Sequence, residues 1–351
     1  MNRFVLFLFA LLMMTELSAQ DKHFTQFYSA PLTLNPALTG AFSGRYRVSG
    51  IYRDQWRGVL DQPYQTYAVA LDVSFDVKTN SKKKDKVAIG LLFFTDKVNS
   101  IDFTTNQIAL SGAYRKSLDR DNKQTLTLGI QAGLGQRNIN YENITFDDQF
   151  NDLNSFDRPT RENLPENNFA FSDYAVGLSY SIAPRRDLSF NAGGALHHIF
   201  TPQVSFFATE ENSDGIPLGD NKLFRKYSAQ VSANIGLTDR VALIPRFLFA
   251  NQGPHLEMNV GTNIRYGLND FNGNAIQFGT WVRPVKNETG QFFMDAIVIM
   301  TGIELGGVLF GLSYDINVAD LTTFRQGQSA LEFSVTYLGD YENESVLCPK
   351  F

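Results

Sequence analysis

Along most of this chain apolar and polar side chains alternate with a period of two. Tyr67, Val69, Leu71, Val73 and Phe75 share one face, and Ala68, Ala70, Asp72 and Ser74 share the other. Leu126, Leu128, Ile130, Ala132 and Leu134 alternate with Thr127, Gly129, Gln131 and Gly133 in the same way. The pattern recurs over 227–235, 256–266, 308–317 and 331–337. Successive strand side chains point to opposite faces, so this period means strands with one apolar and one polar or small face. The segments run about ten to thirteen residues. Soluble strands average ~5–6, whereas tilted membrane strands need ~9–11. Tyrosines at several segment ends fit an interfacial aromatic girdle.

Fourteen such segments are expected, near 45–56, 64–76, 86–95, 101–115, 124–137, 170–181, 187–200, 223–237, 241–250, 255–267, 275–284, 291–302, 306–317 and 327–338. The fold class that follows is all-β, a transmembrane antiparallel outer-membrane β-barrel, its even strand count bringing both ends of the wall to one side. Connectors 138–169, 201–222 and 318–326 are long and follow odd segments, while turns such as Pro184-Arg185-Arg186 and Thr238-Asp239-Arg240 follow even ones. Outer-membrane barrels keep short turns periplasmic and long loops outside, which predicts both termini in the periplasm. The even connector with Lys82, Lys83 and Lys84 is longer than this rule expects. Pro245 removes a ladder donor within the ninth segment, marking either a bulge or a misplaced strand.

The remaining chain divides around this wall. Residues 1–19 read as a signal peptide: Arg3 is the positive end, Phe4 to Met14 is apolar but too short to span, and Ser18-Ala19 precede a cleavage site. Residues 20–44 are expected as a periplasmic or plug segment, 45–338 as the barrel and 339–351 as a periplasmic tail. The apolar side chains Phe24, Phe27, Tyr28, Leu32 and Leu34 of the lead-in need burial, most simply in a barrel mouth. Asn35-Pro36 and Gly40 are turn formers, so it is compact and non-helical. No other apolar run approaches the ~20 residues of a membrane helix. A formal net charge of −5 gives no footprint for nucleic acid, and the single cysteine, Cys348, excludes an internal disulfide.

Candidate chemistry is sparse. Arg45, Arg47, Ser49 and Arg53 fall on the inward face of the first strand, and Asp72, Glu257, Asp315 and Glu332 face inward elsewhere. Such charges form either a selectivity ring or internal pairs that brace the barrel. Trp281, Phe293 and Ile297, assigned inward, favour a filled lumen. His197 and His198 are adjacent, so in a strand they should point to opposite faces and not share a metal. Asp147 and Asp148 read as solvated loop. Asp119 and Asp121 lack the glycine and final glutamate of a calcium loop. There is no G-x-S-x-G elbow, and Cys348 has no placed base. No catalytic residue, cofactor or metal site is assigned.

Three segments resemble those of the PorP/SprF family of type IX secretion system membrane proteins from Bacteroidetes: His23-Phe24-Thr25-Gln26-Phe27-Tyr28 leading to Leu34-Asn35-Pro36-Ala37-Leu38-Thr39-Gly40, then Tyr52-Arg53-Asp54-Gln55-Trp56, and the terminal Cys348-Pro349-Lys350-Phe351. The resemblance covers essentially the whole mature chain and is most specific in the N-terminal motif. It marks Asn35, Pro36, Gly40, Arg53, Gln55, Trp56, Cys348, Pro349 and Phe351 as motif residues with a structural or contact role. It implies a non-enzymatic accessory of secretion or gliding motility, partnered with a secreted adhesin's C-terminal domain or with system components including periplasmic lipoproteins. A diffusion channel or hydrophobic-solute transporter is the competing reading, and a barrel hydrolase a third.

Overall fold

In the computed structural model the described residues are 23–58, 60, 62–77, 84–151, 153–162, 164–206, 222–268, 273–286, 290–318 and 329–339. Residues 1–19, expected as a signal peptide, and the motif residues Cys348, Pro349 and Phe351 lie outside them.

The described chain forms a closed barrel of fourteen strands: β1 (Tyr46–Gln55), β2 (Tyr64–Val77), β3 (Asp85–Val98), β4 (Phe103–Ser117), β5 (Gln124–Ile139), β6 (Asn168–Arg185), β7 (Leu188–His197), β8 (Lys226–Gly236), β9 (Val241–Gln252), β10 (His255–Gly267), β11 (Ala275–Lys286), β12 (Phe292–Leu305), β13 (Val308–Asn317) and β14 (Ser329–Gly339). Each pairs antiparallel with its sequence neighbours. β1 closes on β14 from Tyr46↔Gly339 to Gln55↔Ala330. Closure pairs every strand edge, which a membrane requires because lipid satisfies no backbone group.

Alternation sorts the side chains as the pattern predicts. Leu71, Ile89, Leu110, Ile130, Phe278 and Phe333 stand exposed on the outer wall, while Ala70, Ser111, Thr127, Gln277 and Ser334 are buried inside. Outward tyrosines gather near both ends of the wall: Tyr46, Tyr114, Tyr180, Tyr266 and Tyr337 at one, Tyr52, Tyr67, Tyr227 and Tyr314 at the other. Two girdles bounding an apolar band are what a bilayer demands. The rim where Tyr46 meets Gly339 is here called the terminal rim. The connectors 140–167 and 198–225 both rise from the other, distal rim.

Several expectations change in detail. β9 continues through Pro245: Thr262 remains its partner on β10, and the β8 ladder lapses only at this level, resuming in unchanged register at Ile235↔Leu243. The missing N–H therefore costs a rung rather than making a bulge. Register shifts occur instead beside Pro284 and beside Pro184. At the first, Asp295 is the extra residue, with Arg283 opposite Ala296 and Pro284 opposite Met294. The extra residue reverses the alternation. Phe293 faces the distal mouth as assigned, but Ile297 faces outward, 40% exposed beside its outward partner Val282. β7 ends at His197 rather than 200, because His198 adopts a left-handed φ of 55°.

Candidate functional site: the filled lumen

Residues 23–44 occupy the inside of the barrel. Their elements are short: 3-10 turns at Phe27–Ser29 and Pro36–Leu38 and one helical turn, α1 (Pro31–Leu34). Pro31 and Pro36 each start a turn, where a missing N–H is harmless. Phe24, Tyr28, Leu32, Ala37 and Leu38 are all buried, the first among Ala30, Ala68, Ala70 and Leu92.

The segment crosses the whole lumen. His23 contacts Glu257 at 3.0 Å and lines the distal mouth with Gln55, Gln252 and His255. Gly40 meets Asp72 close to the terminal rim, its N–H donating to Oδ2 at 2.7 Å. The first described residue and Gly339 therefore stand at opposite rims. The lumen is one of the two places expected for the lead-in, while both termini, expected in the periplasm, lie outside the described residues. Strand parity fixes only where the wall begins and ends, and a segment threaded through the lumen adds one further crossing.

A buried ion cluster anchors the distal half. The Thr25 and Gln26 N–H groups donate to the two Glu332 carboxylate oxygens at 2.7 and 2.8 Å. Arg53 Nη1 donates to Glu332 Oε1 at 2.5 Å and to Asp315 Oδ2 at 3.1 Å. Arg283 Nη1 donates to the same Asp315 oxygen at 2.8 Å, while its Nε donates to Asp295 at 2.7 Å. Thr25 Oγ1 accepts from both guanidiniums and donates to Asp315. Gln26 adds bonds to Ser313 and Ser334. Glu332 is 0% exposed, so its charge depends on these partners. The cluster joins β1, β11, β12, β13 and β14 through one side of the threaded segment, including the seam where the barrel closes.

The terminal half rests on a second pair. Arg47 donates through Nε and Nη2 to both Asp72 oxygens at 2.8 and 2.7 Å, and through Nη2 to Leu38 O at 3.1 Å. Its guanidinium lies 5.0 Å from the centre of the Phe42 ring. Arg115 Nη2 donates to Gly40 O at 2.6 Å. Between the halves, Tyr28 stacks on Trp281 with 5.9 Å between rings, and the Arg246 guanidinium lies over the Tyr28 ring, 3.9 Å from its centre. Trp281 Nε1 donates to Asn263 at 3.0 Å. These inward charges act as braces, the second of the two readings open to the sequence.

The remaining motif residues take distinct positions. Asn35 Oδ1 accepts from Ala37 N, and its Nδ2 donates to Leu178 O and Gly194 O, strand carbonyls of β6 and β7. Pro36 sits in a notch: a Cβ on Gly129 would lie 2.3 Å from its backbone, and one on Gly177 1.9 Å from Asn35 Oδ1. Gln55 Oε1 accepts from Arg53 Nε at 3.3 Å. Trp56 follows β1 with a φ of 67°, donates its N–H to Ser329 O and sets its ring edge-on to Tyr64. Asp54, between Arg53 and Gln55, is buried and accepts from Tyr52 and Arg57.

Some partners were not visible in the sequence. His197 and His198 are both buried, against the expectation of opposite faces. His197 Nε2 lies 3.1 Å from Leu34 O, and His198 Nδ1 2.9 Å from Asp173. The left-handed turn at His198 removes the alternation that the expectation rested on. Arg283 and Asn263 carried no signal that named their partners, and Gln26 showed only as part of the N-terminal motif, since the pairings depend on strand neighbours and on the path of the threaded segment.

A family model described as type IX secretion system membrane protein PorP/SprF matches residues 16–337. Among curated protein sequences none matches the chain. Solved structures similar to it include the toluene transporter TodX of Pseudomonas putida, at 10% identity over 92% of this chain and 99% of that one, with a TM-score of 0.49. The KdgM porin is 8% identical over 83% and 98%, TM-score 0.35. CdiB from Acinetobacter baumannii is 8% identical over 84% and 60%, TM-score 0.43.

Proposed function

Since the chain belongs to the PorP/SprF family of type IX secretion system membrane proteins, we propose that this outer-membrane barrel works as a plugged platform rather than a pore. It holds a secreted cell-surface protein, through that protein's C-terminal domain, or the secretion and gliding machinery. The observation that carries this reading is the filled lumen. Residues 23–44 are hydrogen-bonded to buried charged and polar groups of strands around the barrel, including Glu332, Arg47, Asp72, Arg115, Gln131 and Ser228, leaving the rims and connectors as contact surfaces. Buried charges that each hold several partners resist displacement, because removing one strands the others. The reading carries no catalytic step.

In the orientation that goes with it, the distal rim with its long connectors faces outside and the terminal rim, with the chain beyond Gly339, faces the periplasm. Cargo then meets the distal rim, and periplasmic lipoproteins of the system the terminal one.

Deleting the gene in the native host and comparing surface proteins tests the reading. Loss of particular secreted or attached proteins from the surface is the expected result. An unchanged surface, together with steady conductance of the purified barrel in planar bilayers, moves the function to the channel alternative.

A further inference from the structure

The connector from β5 to β6 is strongly acidic, and its described residues are bonded to one another. Residues 140–167 contain Glu142, Asp147, Asp148, Asp152, Asp157, Glu162 and Glu166 against Arg158 and Arg161. Its formal charge of −5 equals that of the whole chain. Within it a small hairpin is formed by the bridge Phe150↔Phe156. The Asn151 side chain caps the turn, its Oδ1 accepting from the N–H groups of Leu153, Asn154 and Ser155 at 3.0 to 3.1 Å. Arg158 clamps the base, donating to Phe150 O and Asn151 O. Asp157 accepts from Asn151 and Ser155.

This bracing presents apolar groups to water. Leu153 at the tip is 84% exposed, with Phe156 at 49% and Phe150 at 37% beside it. A polar loop has no local reason to hold a leucine out in a fixed turn. Preorganised apolar side chains do lower the ordering cost of association, and a few such anchors carry most of an interface's energy. Charge decides what they meet. Membrane surfaces are anionic and are sought by Lys and Arg, so a connector of net −5 is repelled from headgroups. A second copy of this chain would bring the same negative charge to the contact.

We propose that the 150–156 hairpin is a docking knob for a protein surface that offers an apolar pocket ringed by lysine and arginine, carried by the secreted partner; this rests on the platform reading above. Leu153 enters the pocket, Phe150 and Phe156 cover its edge, and the surrounding carboxylates steer and select the basic ring.

The test uses the full-length barrel in its native host, in four strains: wild type, gene deletion, Leu153→Glu, and Asp147→Asn combined with Glu162→Gln and Glu166→Gln. Asp148 and Asp157 are left intact because they brace the connector. The probe is the surface protein that the deletion strain fails to retain, quantified with the detergent-purified barrel at low and high salt. Leu153→Glu is expected to cut co-purification about tenfold or more, the scale of one lost anchor. The triple variant is expected to lower it at low salt and to flatten its salt dependence. Both variant barrels should keep wild-type heat-modified gel mobility. Wild-type retention by both variants, with loss still seen in the deletion strain, overturns the docking assignment and leaves the platform reading standing. A deletion strain that loses nothing overturns both. In a separate arm, a polarity-sensitive dye at Leu153→Cys in a Cys348→Ser background is read in phosphatidylethanolamine–phosphatidylglycerol vesicles. A water-exposed spectrum supports the assignment, and a lipid-buried one overturns it.

Discussion

Arg53 joins the threaded segment, the β1–β14 seam and Asp315 through a single guanidinium. Replacing it with methionine keeps the length but strands Glu332 and Asp315 beside too little positive charge. The expected loss is about 3–5 kcal/mol, read as a lower urea midpoint in heat-modified gel mobility. Arg185→Ala is the control: its pair with Asp187 is solvent-exposed on both sides, so the midpoint should hardly move. Titration matters where carboxylates brace connectors. The Arg161 N–H, followed by the Thr160 hydroxyl, holds the Asp148 carboxyl below its ordinary value of 3.8. A depressed value means the brace contributes fully above the unfolded value and is lost as pH falls through the folded one. Protease cleavage in 140–167 should therefore be flat from pH 8 to about 5 and rise only below the ordinary carboxylate range. At this scale the sequence revealed inward charges such as Arg53 and Glu332 through parity alone. It did not reveal their pairing, because partners such as Gln26 and Glu332 lie 306 residues apart.

The strands themselves were legible because their pattern is enforced locally, by lipid on one face and the lumen on the other. Parity failed only where the backbone left the ladder, at the extra residue Asp295 and at the left-handed His198. The threaded segment was legible as apolar and turn-rich, yet its path was not, since no repeating pattern records which wall each side chain will meet. Its fit is tight at Asn35. Asn35→Ala removes a turn cap and two bonds to strand carbonyls and should cost about 1–2 kcal/mol in the same gel assay. Gly177→Leu should act more strongly, because its Cβ alone collides with Asn35. The segment can then no longer seat, and transient conductance should appear in bilayers where the wild type is silent.

Seen whole, the molecule is a membrane wall closed over its own N-terminal segment, with an acidic connector and exposed apolar side chains at the distal rim. Orientation is tested with an impermeant maleimide. Asn154→Cys, at the tip of the long connector, should label on intact cells in a Cys348→Ser background. In the otherwise native chain Cys348 should label only after the outer membrane is breached. The reverse pattern would invert the orientation and with it the assignment of rims to partners. By itself the sequence determined the class of wall, its strand number and the family, since alternation and contiguous motifs are properties of neighbours along the chain. Only the tertiary structure decided that residues 23–44 thread the lumen to the far rim, and that the inward charges are braces rather than a selectivity ring. Those depend on which strands stand side by side once the wall has closed and on where the threaded segment runs between them. Burial then forces each charge to find its partner there, however distant in sequence.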